Sequence, residues 1–186
     1  GTFDPMDTCA NSRGRGHLLA FQIFKARPDV GAIIHAHPKY SVAFSTLDVP
    51  LLPLSQAGAE FYDGVGVYAD TIDLIRSPQM GADLAKALGK HKAVLLQGHG
   101  VTVVGKTLEQ CVILCMTLEN ACEMQIIVES TGRKPKLFPI EDIKKLADID
   151  VDVLRDMIRE GYLMMGDVIQ QMQRAAAAKK KPRKKP

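Results

Sequence analysis

The sequence has no tryptophan, and aromatic residues make up only 5% of its 186 residues. It also lacks an uninterrupted apolar run of the roughly 18–20 residues that a membrane-spanning helix needs. The first residues, GTFDPMDTCANS, do not show the basic and then apolar pattern of a signal peptide. The four cysteines, at positions 9, 111, 115 and 122, are too few and too unevenly spaced for a disulfide framework. We therefore predict a soluble cytoplasmic protein with reduced thiols and no membrane span.

Charge is distributed unevenly along the chain. The net charge is +3, but the last eight residues, KKKPRKKP, hold six of the 24 basic side chains and no acidic one. The rest of the chain is therefore slightly acidic and offers no basic field for nucleic acid. The tail is predicted to be disordered. It is either a solvated end or a segment attracted to polyanions.

Helical and strand-like segments alternate along the chain, and 46% of the residues are apolar, enough for a full core. This pattern predicts an α/β fold with one sheet flanked by helices. The predicted strands are residues 30–37, 65–68, 93–97 and 101–104. The predicted helices are residues 17–26, 38–47, 78–88, 107–130, 140–147 and 152–178, with Pro38 expected at the first helical position of its helix.

Composition also suggests where the chain divides. Residues 1–16 are rich in turn formers, and we interpret them as a loop remaining from a longer N-terminal part. Residues 17–131 are predicted to form the main domain body, and residues 132–178 its C-terminal helices. Residues 179–186 form the basic tail.

Three of the five histidines form the strongest candidate site. His35 and His37 are two residues apart, so on a strand both side chains face the same side. His99 lies between two glycines, Gly98 and Gly100, directly after a predicted buried strand. Three neutral imidazoles with an open position are typical of a catalytic divalent metal site. On their own, the first pair also fits an ordinary strand end and the glycine-flanked histidine an ordinary hairpin turn.

A longer pattern resembles a known family. The stretches RPDVGAIIHAHPKYSVAFS, LLQGHGVTVVGKTLEQ and LENACEMQ are similar, in order and spacing, to the class II aldolase/adducin family. The resemblance covers about residues 17–125. It implies a three-layer α/β/α fold with a mostly antiparallel central sheet, as in the fuculose-phosphate aldolases, and a homotetramer with sites at subunit interfaces.

The resemblance also implies a cofactor and a reaction. His35, His37 and His99 match the family's metal ligands, for which Zn²⁺ is expected and Mn²⁺ or Co²⁺ are alternatives. The implied activity is that of a lyase which breaks a carbon–carbon bond in a small hydroxy-carbonyl substrate and stabilises a metal-bound enolate. The alternatives are decarboxylation of a hydroxylated aromatic acid and a non-catalytic, adducin-like binding module.

Two positions depart from the aldolase pattern. Gly16 stands where the aldolases carry an acid/base glutamate, and Gln56 stands near the position of a tyrosine proton donor. The remaining candidates for proton transfer are Tyr62, Tyr68 and Glu60, although core or surface roles are open for each. Glu119 is expected to make a structural pairing on the long helix.

Overall fold

In residues 16–72 and 75–147, which the computed structural model describes, six helices and four strands alternate. The helices are α1 (Gly16–Ala26), α2 (Lys39–Phe44), α3 (Gln56–Ala59), α4 (Pro78–Leu88), α5 (Leu108–Ser130) and α6 (Ile140–Ala147). The strands are β1 (Ala32–Ala36), β2 (Gly66–Tyr68), β3 (Ala93–Leu96) and β4 (Gly100–Gly105).

Most of the elements begin and end near their predicted bounds. The short helix α3 was not predicted, and Pro38 is the N-cap of α2 rather than its first residue. The predicted helix 152–178 and the basic tail 179–186 lie outside the described residues, as does nearly all of the predicted loop 1–16. The domain boundaries stay predictions.

At the start of two helices, a side-chain hydroxyl caps the backbone. The Ser77 hydroxyl accepts a hydrogen bond from the Met80 N–H at the start of α4, and Pro78 follows at the first helical position. The Thr107 hydroxyl accepts one from the Gln110 N–H at the start of α5. Each hydroxyl satisfies a backbone donor that the helix itself leaves without a partner.

The four strands form one sheet in the order β1-β4-β3-β2. β4 pairs antiparallel with both β1 and β3, whereas β2 pairs parallel with β3. Two of the three pairings are thus antiparallel, which confirms the expected mostly antiparallel sheet, although the sheet as a whole is mixed.

Each face of the sheet carries a hydrophobic cluster. On one face, Val94, Leu96 and Val104 pack with side chains of α1 and α4. On the other face, Leu95, Val101 and Val103 pack with side chains of α2 and α5. The alternation of side chains along β3 and β4 therefore builds the predicted three-layer α/β/α arrangement.

Helix α5 has the length and hydropathy of a membrane span. However, its residues Leu114, Leu118 and Cys122 are buried against the sheet in the described structure. Its Glu119 carboxylate also accepts hydrogen bonds from the backbone of α2. These contacts identify α5 as a core helix of this domain.

We predict that Leu118→Ala lowers the free energy of unfolding by about 2–5 kcal/mol, because Leu118 is completely buried and its truncation leaves a cavity. Asn120→Ala on the same helix is the control. Asn120 is exposed, so its loss should cost less than about 0.5 kcal/mol. Urea denaturation of both variants measures the difference, and equal losses would contradict the assigned packing of α5.

Candidate metal centre

The fold brings the three predicted histidines together at one end of the sheet. His35 lies on β1 opposite Thr102 of β4, and His37 follows the end of β1. His99 lies in the turn between β3 and β4, where its backbone N–H donates to the Leu96 carbonyl. Two separate segments of the sequence, residues 35–37 and the turn at His99, therefore meet because β1 and β3 both pair with β4.

The ring positions fit a shared centre. One ligand nitrogen from each histidine lies within 4.8 Å of the others, and the three ring centroids are 4.9–5.2 Å apart. The Nε2 atoms of His35 and His37 are 3.2 Å apart. Nitrogens that bind one tetrahedral Zn²⁺ at about 2.0–2.1 Å are about 3.3–3.4 Å apart. The pair thus already has the spacing of two ligands, and His99 lies close enough to supply the third.

His35 is also held in the orientation that a ligand needs. Its Nδ1 lies 3.2 Å from the Thr102 hydroxyl oxygen, which can accept the Nδ1 proton. A proton on Nδ1 leaves the lone pair of Nε2 directed at the cluster. Burial disfavours the charged ring, and charges on His37 and His99 would repel it, so the pKa of His35 is lowered to about 4. His35 is therefore neutral at pH 7, as metal binding requires.

Glycine at position 100 is required by close packing. A Cβ there would lie 2.5 Å from both the Ala36 carbonyl oxygen and Cδ2 of the His37 ring. Gly98, on the other side of His99, has a φ of +67° and donates its N–H to the Ser45 hydroxyl at 2.9 Å. The two glycines thus let the turn that carries His99 approach both β1 and α2.

The structure does not place Glu60 with the histidines. Its carboxylate pairs with the Lys92 ammonium at 2.6 Å, just before β3 begins, whereas His99 follows the end of β3. About 13 Å of strand separates the two ends. Within one chain, the Glu60 carboxylate therefore pairs with Lys92 rather than with the histidines, and its acid/base role stays a prediction.

The two tyrosine candidates differ in their surroundings. Tyr68 is 3% exposed and packs in the cluster between the sheet and helices α1 and α4. Burial, then the charges of Asp70 and Asp83, raise the pKa of its phenol, which is therefore protonated at neutral pH. Tyr62 is 36% exposed just after α3. Their catalytic roles stay predictions.

Thr102 and Ser45 are site residues that the sequence analysis missed. Thr102 is completely buried on β4, between apolar neighbours, and Ser45 is the C-cap of α2. A polar side chain inside the apolar run VTVV was a usable signal for Thr102. Ser45 had no local signal, since its partner Gly98 is 53 residues away.

Comparison of the sequence with known protein families identifies the family of this chain. Residues 17–126 match the class II aldolase and adducin N-terminal domain. The chain belongs to the class II aldolase/adducin family. Class II aldolases depend on a divalent metal, and the cluster of His35, His37 and His99 has the donor set and spacing for one.

The relatives within this family include decarboxylases and adducins. The chain is 36% identical to the decarboxylase NovR of Streptomyces niveus over 74% of this chain and 52% of that protein. It is 31% identical to 3,4-dihydroxyphthalate decarboxylase of Arthrobacter keyseri, over 70% and 54%. It is 33% identical to human beta-adducin, over 75% and 18%. The chain thus spans about half the length of the curated decarboxylases that it matches.

Solved structures show the same fold. An aldolase II superfamily protein from Pseudomonas syringae superposes with a TM-score of 0.66 at 26% identity, covering 86% of this chain and 66% of that chain. L-fuculose 1-phosphate aldolase from Glaciozyma antarctica PI12 superposes with a TM-score of 0.59 at 30% identity, covering 72% and 49%. The predicted fuculose-phosphate-aldolase-like fold is confirmed.

We predict that Thr102→Val weakens Zn²⁺ binding about 10–100-fold, because His35 loses the acceptor that fixes its tautomer and ring orientation. Thr102→Ser keeps a hydroxyl and should bind nearly as tightly as the unchanged protein. Competition with a chromophoric chelator measures both affinities. Equal binding by the valine variant would show that the Thr102 hydroxyl does not orient His35.

Proposed function

We propose that this chain is the metal-binding part of a carbon–carbon lyase that decarboxylates small hydroxylated acids, with Zn²⁺ as the resident metal and Mn²⁺ or Co²⁺ as alternatives. The cluster of His35, His37 and His99 carries this proposal. In the described part of the chain, the cluster includes no carboxylate. A divalent ion bound there would act as a Lewis acid for the negative charge that develops when the carbon–carbon bond breaks.

The donor set also indicates the charge of the substrate. Three neutral imidazoles cancel none of the charge of a divalent ion, so the site favours an anionic substrate with a hydroxyl beside its carboxylate or carbonyl. His35 and His37 each keep part of their surface exposed, which leaves the centre open to a small molecule. The side chain of Thr102 keeps His35 oriented while substrate enters.

Decarboxylation fits the available residues better than aldol cleavage. Cleavage of an aldol requires a base that removes the proton of the substrate alcohol, and Gly16 stands where the aldolases have their glutamate. In decarboxylation, the bond to the carboxylate breaks, carbon dioxide leaves, and the electron pair stays on the substrate carbon, which is then protonated. This step needs no alcohol deprotonation. Two decarboxylases among the relatives, at 36% and 31% identity, support the same choice.

A non-catalytic adducin-like module is the second candidate. It is favoured by the 33% identity to human beta-adducin across 75% of this chain. Under this reading, the three histidines would be a retained structural cluster, and metal binding would be dispensable for partner binding.

The metal and the activity are tested together. We predict about one divalent ion per chain in the purified protein, and release of carbon dioxide from dihydroxylated aromatic acids. His99→Ala should lose the ion and reduce turnover about 1,000-fold or more, since the bound metal supplies several kcal/mol of transition-state stabilisation. Elemental analysis and a carbon dioxide assay measure these outcomes.

His91→Ala is the matched control, because His91 lies before β3 and outside the cluster. It should keep both the metal and the activity. Aldehyde release from sugar phosphates without decarboxylation would instead assign an aldolase. A folded protein with neither metal nor turnover would favour the adducin-like module.

We further propose that the chain assembles as a homotetramer. Members of the family are often oligomeric, and α5 exposes several apolar side chains along its length. These exposed residues are Leu108, Val112, Met116, Met124 and Ile127. We predict a mass of four times the 20.3 kDa of one chain by light scattering. Met116→Lys together with Ile127→Lys should shift the mass towards the monomer, whereas a monomeric unchanged protein would contradict this assembly.

A cytoplasmic location is part of the same proposal. Cys111, Cys115 and Cys122 are free thiols on α5. Burial raises the pKa of Cys111 to about 11 and that of Cys122 to about 12, so both are protonated and unreactive at neutral pH. Buried reduced thiols of this kind support a reducing compartment.

A further inference from the structure

Helix α2 begins without a capping side chain of its own. Its N-cap is Pro38, which has no side-chain acceptor, so the first N–H groups of the helix need partners from elsewhere. Glu119, on the middle of α5, supplies them. Its Oε1 accepts from the Tyr40 N–H at 2.7 Å, and its Oε2 accepts from the Ser41 N–H at 2.8 Å and from the Ser41 hydroxyl at 2.7 Å.

This contact lies next to one of the histidines. His37 directly precedes Pro38, and a residue before proline is restricted to an extended backbone. Fixing the start of α2 therefore also fixes the backbone that carries the His37 ring. The three hydrogen bonds are charge-assisted, and the donors come from two successive residues, so the carboxylate determines both the position and the direction of the helix start.

The other end of α2 touches the turn that carries His99. Ser45, the C-cap of α2, is 4% exposed, and its hydroxyl accepts from the Gly98 N–H at 2.9 Å. The same hydroxyl donates to the Val42 carbonyl within the helix. Helix α2 is thus a short link, anchored by Glu119 at one end and bonded at the other to the turn of the third histidine.

We propose that Glu119 is a positioning residue for the histidine cluster. By holding the start of α2, it fixes His37 and, through Ser45, the turn that carries His99. The proposal rests on the proposed function, because it assumes that the cluster binds a divalent ion. Glu119 itself is not assigned as a ligand, since its two carboxylate oxygens are occupied by the backbone and hydroxyl of α2.

A matched control lies on the same helix. Gln125 is completely buried on α5, accepts from the Leu52 N–H at 2.7 Å and donates to the Pro50 carbonyl at 3.0 Å. It therefore also ties a distant backbone segment to α5, but that segment does not carry a histidine of the cluster. Substitution of Gln125 therefore measures how much stability and Zn²⁺ affinity are lost when a segment without a histidine is detached from α5.

The test compares Zn²⁺ affinity and the thermal midpoint of the full chain with Glu119→Ala, Glu119→Gln and Gln125→Ala. We expect Glu119→Ala to raise the Kd for Zn²⁺ about tenfold or more, the lower end of the range for residues that orient ligands. Glu119→Gln should have an intermediate Kd, because its amide nitrogen cannot accept from an N–H. Gln125→Ala should lower the thermal midpoint while its Kd stays within about twofold of the unchanged protein.

A Kd for Glu119→Ala within about twofold of the unchanged protein would overturn the proposal, and so would an equal weakening by Gln125→Ala. If Glu119→Ala does not fold, the isosteric Glu119→Gln decides by the same criterion.

If the unchanged protein binds no Zn²⁺, the proposed function fails, and the ring signals of His37 and His99 in NMR spectra of the metal-free protein decide the positioning role separately. Shifts in Glu119→Gln that are absent in Gln125→Ala support the role. Unchanged ring signals overturn it.

Discussion

The antiparallel pairing of β1 with β4 is the constraint on which the candidate site depends. It joins segments that are 67 residues apart and places His35 opposite Thr102. The turn before β4 then brings His99 beside the end of β1, where His37 follows. Because a shift of β1 along β4 would break the backbone hydrogen bonds between the two strands, this pairing fixes His35 and brings the segments that carry His37 and His99 beside it before any ligand arrives. The close approach of Gly100 to His37 depends on this register.

The layers around the sheet have different tasks at this site. The α1 and α4 layer buries the face that carries Ile33 and Val104, on which His35 also lies by alternation along β1. The α2 and α5 layer holds the turns at the end of the sheet through Ser45 and Glu119. The core is thus stabilised mainly by apolar packing, whereas a few buried polar contacts orient the segments that carry the histidines. A satisfied buried hydrogen bond changes the free energy of folding only slightly. Removal of one partner destabilises the fold strongly, because it leaves a buried polar group without a hydrogen bond.

The sequence predicted the parts of the structure that are encoded locally. The spacing of His35 and His37, the glycines around His99 and the cap residues Ser77 and Thr107 each act within a few positions of the chain. The family resemblance added the layer order and the shared role of the three histidines. Long-range partners could not be predicted from the sequence. For example, no residue near Glu60 specifies its ion pair with Lys92, 32 residues away. The parallel pairing of β2 with β3 could not be predicted for the same reason, since strand order depends on packing across the whole domain.

A centre made of three neutral rings constrains the chemistry less than a centre that contains a carboxylate. The ligands would leave the charge of a bound ion uncompensated, so in the proposed lyase the affinity for an anionic substrate would come from the ion and the choice of reaction from the groups around it. The histidine cluster is therefore compatible with the different activities found in the family, and it does not by itself select one of them. In this chain, Gly16 stands where the resemblance places the acid/base glutamate of the aldolases, and the Glu60 carboxylate pairs with Lys92. Both features leave fewer bases for the proposed reaction, whereas the stabilisation of a carbanion by a bound ion would be unaffected. Loss of carbon dioxide needs that stabilisation and a later proton but no base for a substrate alcohol, and this is the physical reason for proposing decarboxylation.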